Sequence, residues 1–193
     1  TLPFLPAGSK KKYAVHYILE NGKEKDIIHY ETSVKWIAVD PKGFHFFEID
    51  RLTKTAINNS APDSMMEELA VKTSEILYPL QIIVDETGKW IDVHNYKQIL
   101  DRWENTKREI LDYYEGEVTQ IHIKHTEQSL TSKTTLNESL KSDLFLRAIF
   151  IGLHVDYTTE QKFENEITFP LVKDEEASFM VEQKVAPFLE DGE

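Results

Sequence analysis

The most informative part of this chain is LYPLQIIVDETGKWIDVHNYKQILDRWENTK, residues 77–107. The segment LQIIVD predicts a β-strand, residues 86–88 a turn, and KWIDVH a returning strand. Asn95 is a residue type that favours a helix N-cap, and it predicts that a helix starts there. Apolar residues at helical spacing then predict an amphipathic helix that lies on the strands: Ile99, Leu100, Trp103, Ile110, Leu111 and Tyr114. We therefore expect Trp103 to be buried where helix and sheet meet.

Upstream of this hairpin, residues 12–52 alternate between apolar and polar side chains, which predicts a meander of strands. Asn21-Gly22 favours a two-residue turn that needs positive φ at both positions, and Asp40-Pro41-Lys42-Gly43 favours a second turn. The predicted strands are 12–20, 24–31, 33–40 and 44–52.

Helices are predicted on both sides of the hairpin. Ser64 and Glu67 have the spacing of a capping box, so a helix is expected from about 64 to 77. It ends before Tyr78-Pro79, because the residue ahead of a proline is disfavoured in the α region. The remaining elements are predicted as helices at about 117–131 and 134–152 and as strands near 166–172 and 177–186.

These elements predict one α+β domain over residues 1–193, with a helical insertion at about 95–152. Its antiparallel sheet would contain the N-terminal meander, the hairpin and the C-terminal strands, with about four helices covering one face. A chain of 193 residues is long enough to bury a substantial core. The ending FMVEQKVAPFLEDGE has the pattern of a strand running into a turn, so a longer natural chain is a further hypothesis.

The charge of the chain narrows the classes of partner. With 22 basic and 34 acidic residues, the net charge of −12 disfavours nucleic acid and anionic membrane surfaces. Residues 160–193, which include Glu175 and Glu176, hold ten acidic residues and three lysines, a local net charge of −7. A solvated acidic tail is the favoured interpretation of this stretch, and if it binds a charged macromolecule, we expect a basic protein partner.

The hydropathy and the cysteine content of the chain argue against several kinds of segment and site. No apolar run reaches the roughly 18–20 residues of a transmembrane helix, so no membrane-spanning segment is predicted. The chain has no cysteine, which excludes disulfides and thiolate metal sites and leaves a cytoplasmic and a periplasmic location equally open.

Two groups of residues are weak candidates for chemistry. Asp92 and His94 alternate on one predicted strand, so they share a face and can form a base-orienting pair, but no nucleophile motif accompanies them. His122 and His125 share a helical face, but a zinc site needs more ligands than these two, and solvated surface histidines are the favoured interpretation. The GK of DETGKW lacks the rest of a phosphate-binding loop, so no cofactor is predicted.

Aromatic residues of the predicted sheet form a candidate surface for a ligand or a partner. They are Tyr13, Tyr17, Phe44 and Phe46. Packing in the core is the favoured explanation for each of them, and the ligand or partner surface is the alternative.

The residues LYPLQIIVDETGKWIDVHNYKQILDRW, with TLPFLPAGSKKKY before and FLRAIF after them, carry a resemblance. In these segments the chain resembles a family of uncharacterised proteins from Bacteroidetes-type bacteria. The resemblance implies a bacterial origin and no particular activity. The strand meander with its helix cover is also loosely similar to lipoprotein-carrier folds, a likeness of architecture that does not imply function.

Three hypotheses for function follow. The first is a non-enzymatic binding or interaction protein, such as an accessory, adaptor or immunity-type component of a bacterial envelope or secretion system. The second is a carrier of a lipid or small hydrophobic ligand in a cavity between sheet and helices. It requires the faces bearing Tyr13, Tyr17, Phe44 and Phe46 to meet at a void. The third is a hydrolase that uses Asp92 and His94.

Overall fold

The computed structural model describes residues 3–170 and 176–184, which form an α+β fold with a mainly antiparallel sheet, as the sequence predicts. The strands are β1 Lys10–Asn21, β2 Glu24–Val39, β3 His45–Arg51, β4 Ala56–Ile57, β5 Leu80–Val84, β6 Trp90–Val93, β7 Lys162–Pro170 and β8 Glu176–Lys184. The helices are α1 Met65–Glu75, α2 Tyr96–Tyr113, α3 Glu117–Ser129, α4 Lys133–Leu140 and α5 Leu144–Ile149. None of these helices is both long and apolar enough to cross a membrane.

The main sheet has the strand order β1-β2-β3-β5-β6, and the short β4 pairs with β2 beside β3. Strand β2 is continuous over 16 residues, whereas the sequence predicted two strands, 24–31 and 33–40. The polar pair Thr32 and Ser33 is buried within the sheet, and the Thr32 hydroxyl donates to the Asp50 carbonyl. The predicted break at residue 32 is thus absent, because the Thr32 side chain has a hydrogen-bond partner within the sheet. The β1–β2 loop is Gly22-Lys23, one position later than predicted.

The C-terminal strands β7 and β8 form a separate two-stranded ribbon and do not extend the main sheet. The β6 edge of that sheet is occupied by another segment, because Lys89 bridges to Ile151 and the Trp90 amide donates to the Phe150 carbonyl. The opposite edge is β1, whose first residues Lys10–Lys12 are charged, as is common on exposed edges.

The predicted helix 134–152 is two helices, α4 and α5. Asp143 separates them, because its carboxylate accepts a hydrogen bond from the Leu146 amide and caps the start of α5. The predicted capping box of α1 is confirmed, with Ser64 and Glu67 each bonding the other's backbone amide.

The core lies between one face of the main sheet and the helices. Strand β5 shows the alternation directly, since Leu80, Ile82 and Val84 are fully buried and the residues between them are not. From the helices, Leu69, Ile99, Trp103, Ile110, Ile123, Leu136 and Leu146 join the same apolar cluster. Each large apolar side chain buried in this way contributes about 1.5–3 kcal/mol.

The segment between α1 and β5 is held by two polar side chains of α2 and its N-cap. Arg102 donates from Nε to the Ile76 carbonyl at 2.6 Å and from Nη2 to the carbonyls of Leu77 and Pro79, both at 3.2 Å. The buried Asn95 donates to the Pro79 carbonyl and accepts from the Gln81 amide. Asn95 is the N-cap residue by position, but its side chain makes no capping bond, because both ends of its amide bond the backbone around the start of β5.

Replacing Trp103 with alanine removes a ring that is only 2% exposed. We expect Trp103→Ala to lower the free energy of unfolding by about 3–5 kcal/mol, as large core truncations do. Leu111→Ala, on the same helix but exposed, should change it by less than about 0.5 kcal/mol. Urea unfolding of both variants measures the difference, and equal stabilities would contradict the burial of Trp103.

Replacing Asn95 with alanine leaves the Gln81 amide without its side-chain acceptor and removes one donor to the Pro79 carbonyl. We expect Asn95→Ala to destabilise the protein by about 1–3 kcal/mol, the usual cost of a buried polar group without a partner. Asn105→Ala, at an exposed position of α2, is the matched control and should change stability by less than about 0.5 kcal/mol. Thermal and urea unfolding provide the readout.

Candidate functional site

The predicted surface tyrosines of β1 contact helix α5. The Tyr13 ring packs edge-to-face on Phe145 with the ring centres 5.6 Å apart. The Tyr17 hydroxyl donates to an Asp143 carboxylate oxygen at 3.3 Å and accepts from the Phe145 amide at 3.3 Å. Both tyrosines are half-buried, so in this structure they hold the start of α5 against the sheet.

Phe44 and Phe46 lie elsewhere. Phe44 belongs to the turn before β3, where its amide donates to the Asp40 carboxylate. Phe46 points to the face of β3 opposite the buried Phe47, and its ring meets the His94 ring edge-to-face at 4.8 Å. Phe46 and the β1 tyrosines are therefore on opposite faces of the sheet and do not line a common space.

Asp92 and His94 each have a different neighbour. An Asp92 carboxylate oxygen lies 2.6 Å from the Lys133 ammonium at the start of α4. His94 packs on Phe46. Within the described part of the chain, no hydrogen bond or ion pair joins Asp92 to His94, so the carboxylate does not orient the imidazole here. Of the acidic candidates, Glu175 and the side chain of Glu176 lie outside the described residues.

His122 and His125 converge on a cleft between helices α1, α3 and α4, which we call the helix cleft. It has a volume of about 330 Å³, close to the lower end of the usual range for ligand sites. The His122 Nε2 atom lies 3.0 Å from the Thr73 hydroxyl oxygen across the cleft. In the described ranges, no three His, Asp or Glu side chains are grouped as metal ligands.

The helix cleft has an apolar floor and a rim of hydroxyl groups. The floor consists of Ile76, Leu77, Leu130, Leu136 and Leu140. The rim consists of Thr73, Ser74, Thr126, Ser129 and Ser139. Three helices thus contribute to one surface on which aliphatic side chains are surrounded by small polar groups.

The hydroxyl groups of this rim already donate their hydrogens within their own helices. Thr73 donates to the Leu69 carbonyl, Ser74 to Val71 and Thr126 to His122. Ser129 and Ser139 do the same with the carbonyls three or four residues before them. A hydroxyl has one hydrogen and two lone pairs, so these groups face the cleft mainly as acceptors.

His122 Nε2 and the Thr73 hydroxyl oxygen lie within hydrogen-bond distance, and the tautomer of His122 decides which of the two donates. The hydroxyls of the rim can donate to helix carbonyls, which leaves their lone pairs facing the cleft. The cleft is therefore rich in acceptors and suited to a ligand with an apolar body and N–H or ammonium donors.

The sequence contains part of this pattern. His122, His125, Thr126 and Ser129 share one face of α3 at helical spacing. Their partners on α1 and α4 come from distant parts of the chain, so the cleft itself is not visible in any one segment.

A second histidine environment lies at the start of β3. The Trp36 Nε1 group donates to His45 Nδ1 at 3.2 Å, and the Phe4 ring packs edge-to-face on the His45 ring. Burial lowers the pKa of His45 below its ordinary value of 6.5, and this effect exceeds the opposing attraction of the Asp40 carboxylate. The neutral ring is thus favoured, in keeping with its role as an acceptor.

The chain matches no known protein-family model, no curated protein and no solved structure.

The His45 environment makes stability depend on pH. The folded-state pKa is lowered, so the contribution of His45 is complete above its ordinary pKa of 6.5 and is lost as the pH falls through the lower folded value. We expect His45→Gln, which keeps an acceptor for Trp36 but does not titrate, to lose less stability than the native protein between about pH 7 and about pH 5.

Urea unfolding across this pH range measures the effect. His125→Gln, at an exposed position, is the control and should retain the pH dependence of the native protein. Identical pH dependence in His45→Gln and in the native protein would show that His45 is not the titrating group.

Proposed function

We propose that this protein is a non-enzymatic interaction protein and that its helix cleft binds an apolar segment of a basic partner protein. The observation that carries this proposal is the combination of an aliphatic floor with a rim of hydroxyls whose hydrogens are already donated. A basic amphipathic segment matches both parts, because it has apolar side chains on one face and N–H donors at its border.

The shape of the cleft supports a partner segment over an enclosed small molecule. It is open to solvent along one side, whereas pockets for small ligands bury about 70–90% of the ligand surface. Helical segments that bind grooves insert apolar side chains at spacings of three and four residues. A surface formed by three helices can receive such a row of side chains.

Charge supports a basic partner. The net charge of −12 attracts cationic proteins over distances of about a Debye length and so increases their rate of encounter. Acceptors on the rim then contribute orientation at short range. A bacterial origin rests on the sequence resemblance alone, and a role as an accessory, adaptor or immunity-type component of an envelope or secretion system stays a hypothesis.

The hydrolase hypothesis has less support from the geometry. Asp92 is paired with Lys133 and His94 with the Phe46 ring, so the two candidate residues have separate structural contacts. The helix cleft, which the carrier hypothesis could use as its cavity, lies among helices and not between sheet and helices.

Two helical peptides with the same row of leucines test the proposal, one with lysines and one with glutamates on the polar face. We expect the native protein to bind the lysine peptide at least about tenfold more tightly in a fluorescence anisotropy titration. Ala70→Trp, which places an indole at the cleft, should weaken this binding about tenfold or more. Ala148→Trp, at an exposed position of α5 outside the cleft, should bind like the native protein.

Other outcomes would overturn the proposal. Equal binding to both tryptophan variants would place the peptide elsewhere on the acidic surface, and no binding of the lysine peptide would exclude the basic segment as ligand. A small-molecule adduct seen by native mass spectrometry, lost on denaturation and absent from Ala70→Trp, would favour the carrier hypothesis over a protein partner.

A further inference from the structure

Arg51, the last residue of β3, has an unusual environment. Its guanidinium carbon lies 3.5 Å from the centre of the Tyr30 ring and 4.6 Å from the centre of the Tyr78 ring. These rings come from β2 and from the segment that follows α1. Stacking against two rings fixes the plane of the guanidinium, which orients its N–H groups.

The hydrogen-bonding capacity of Arg51 is largely unused. Its Nη1 group donates to the buried Thr55 hydroxyl at 2.7 Å. Its Nε group is buried and has no hydrogen-bond partner within the described residues. Among those residues, no carboxylate lies within salt-bridge distance of Arg51.

Two of the other arginines have hydrogen-bond acceptors for their Nε groups. The Nε group of Arg102 donates to the Ile76 carbonyl, and the Nε group of Arg108 donates to the Glu104 carbonyl. The Nε group of Arg51 has no such acceptor among the described residues. A guanidinium is always charged in proteins, and a partly buried charge without a counter-charge is costly.

We infer that Arg51 is the recognition residue of an oxyanion site that takes a carboxylate or phosphate group. Arg51 is partly exposed as a residue, although its Nε atom is buried. Its planar fork of donors matches two oxygens of either group. The Tyr78 hydroxyl is close to Arg51, whose guanidinium can only donate to it, so the hydroxyl hydrogen is the group that Tyr78 would offer to a ligand.

The groups around the site leave its positive charge available. Burial raises the pKa of Tyr30 and of Tyr78, so both phenols stay neutral and bring no negative charge to the guanidinium. The nearby Asp143 carboxylate accepts from the Tyr17 hydroxyl and does not pair with Arg51. The site shares no residue with the helix cleft, so the inference does not depend on the proposed function.

Nuclear magnetic resonance of the arginine side chains tests this directly. The chain has four arginines, so a ¹⁵N-labelled sample has four Nε–H signals to follow. We expect the Arg51 signal to shift and to saturate when sodium phosphate or sodium acetate replaces sodium chloride at constant ionic strength. The signals of Arg102 and Arg108, whose Nε groups have backbone acceptors, should stay in place.

The two anions separate the classes of ligand. Saturation by phosphate at the lower concentration assigns a phosphate group, and saturation by acetate at the lower concentration assigns a carboxylate. An Arg51 signal that moves with neither anion, or that moves no more than the other three, would overturn the inference.

Variants give an independent readout. We expect the anion that binds more tightly to raise the melting temperature of the native protein. Arg51→Lys keeps the charge but loses the planar fork, so this increase should disappear in the variant. Arg108→Lys, at an exposed position, should keep the native response. Tyr78→Phe keeps the stacked ring and removes only the hydroxyl, so it remains informative if Arg51→Lys does not fold. We expect Tyr78→Phe to weaken the anion affinity several-fold, and an unchanged affinity would remove Tyr78 from the site.

Discussion

The placement of the helices on the sheet depends on the carbonyl groups between α1 and β5. The backbone there is neither helix nor strand, so its carbonyls need partners from elsewhere. Arg102 takes those of Ile76, Leu77 and Pro79, and Asn95 adds a second donor to Pro79. Both side chains belong to α2 or its N-cap. One set of hydrogen bonds therefore joins the end of α1, the start of β5 and the first turns of α2.

The walls of the helix cleft follow from this constraint. The carbonyls of Ile76 and Leu77 accept hydrogen bonds from Arg102, and both residues also form part of the cleft floor. The end of α1 therefore has a fixed position in the cleft. Helix α4 is tied to β6, because Asn137 donates to the Ile91 carbonyl and Lys133 pairs with Asp92. A cleft whose walls are fixed before binding loses less entropy when a ligand arrives. Asp92, a catalytic candidate from the sequence, has a clear structural role in holding α4.

Sequence patterns predicted the features that depend on residues close together in the chain. The capping box at Ser64, the hairpin before Asn95 and the burial of Trp103 each depend on residues close in sequence, and the structure contains all three. The continuity of β2 was missed because its pairing with neighbouring strands decides it. The break at Asp143 has a local cause, a carboxylate that caps the amide three residues later, but the apolar run that follows it predicted one continuous helix. The helix cleft and the stacking of Arg51 between Tyr30 and Tyr78 assemble distant segments, so no periodicity reveals them.

The two proposed sites differ in which hydrogen-bonding groups remain unused. At the helix cleft the hydroxyls have donated their hydrogens to helix carbonyls, and what remains is a set of acceptors. At Arg51 the donors remain and the local acceptors are few. The acceptors of the cleft and the donors of Arg51 bind different kinds of ligand. A donor-rich segment in the cleft therefore does not occupy the guanidinium. Coupling between the sites would then come from charge alone, because a bound anion makes an acidic protein more attractive to a basic partner.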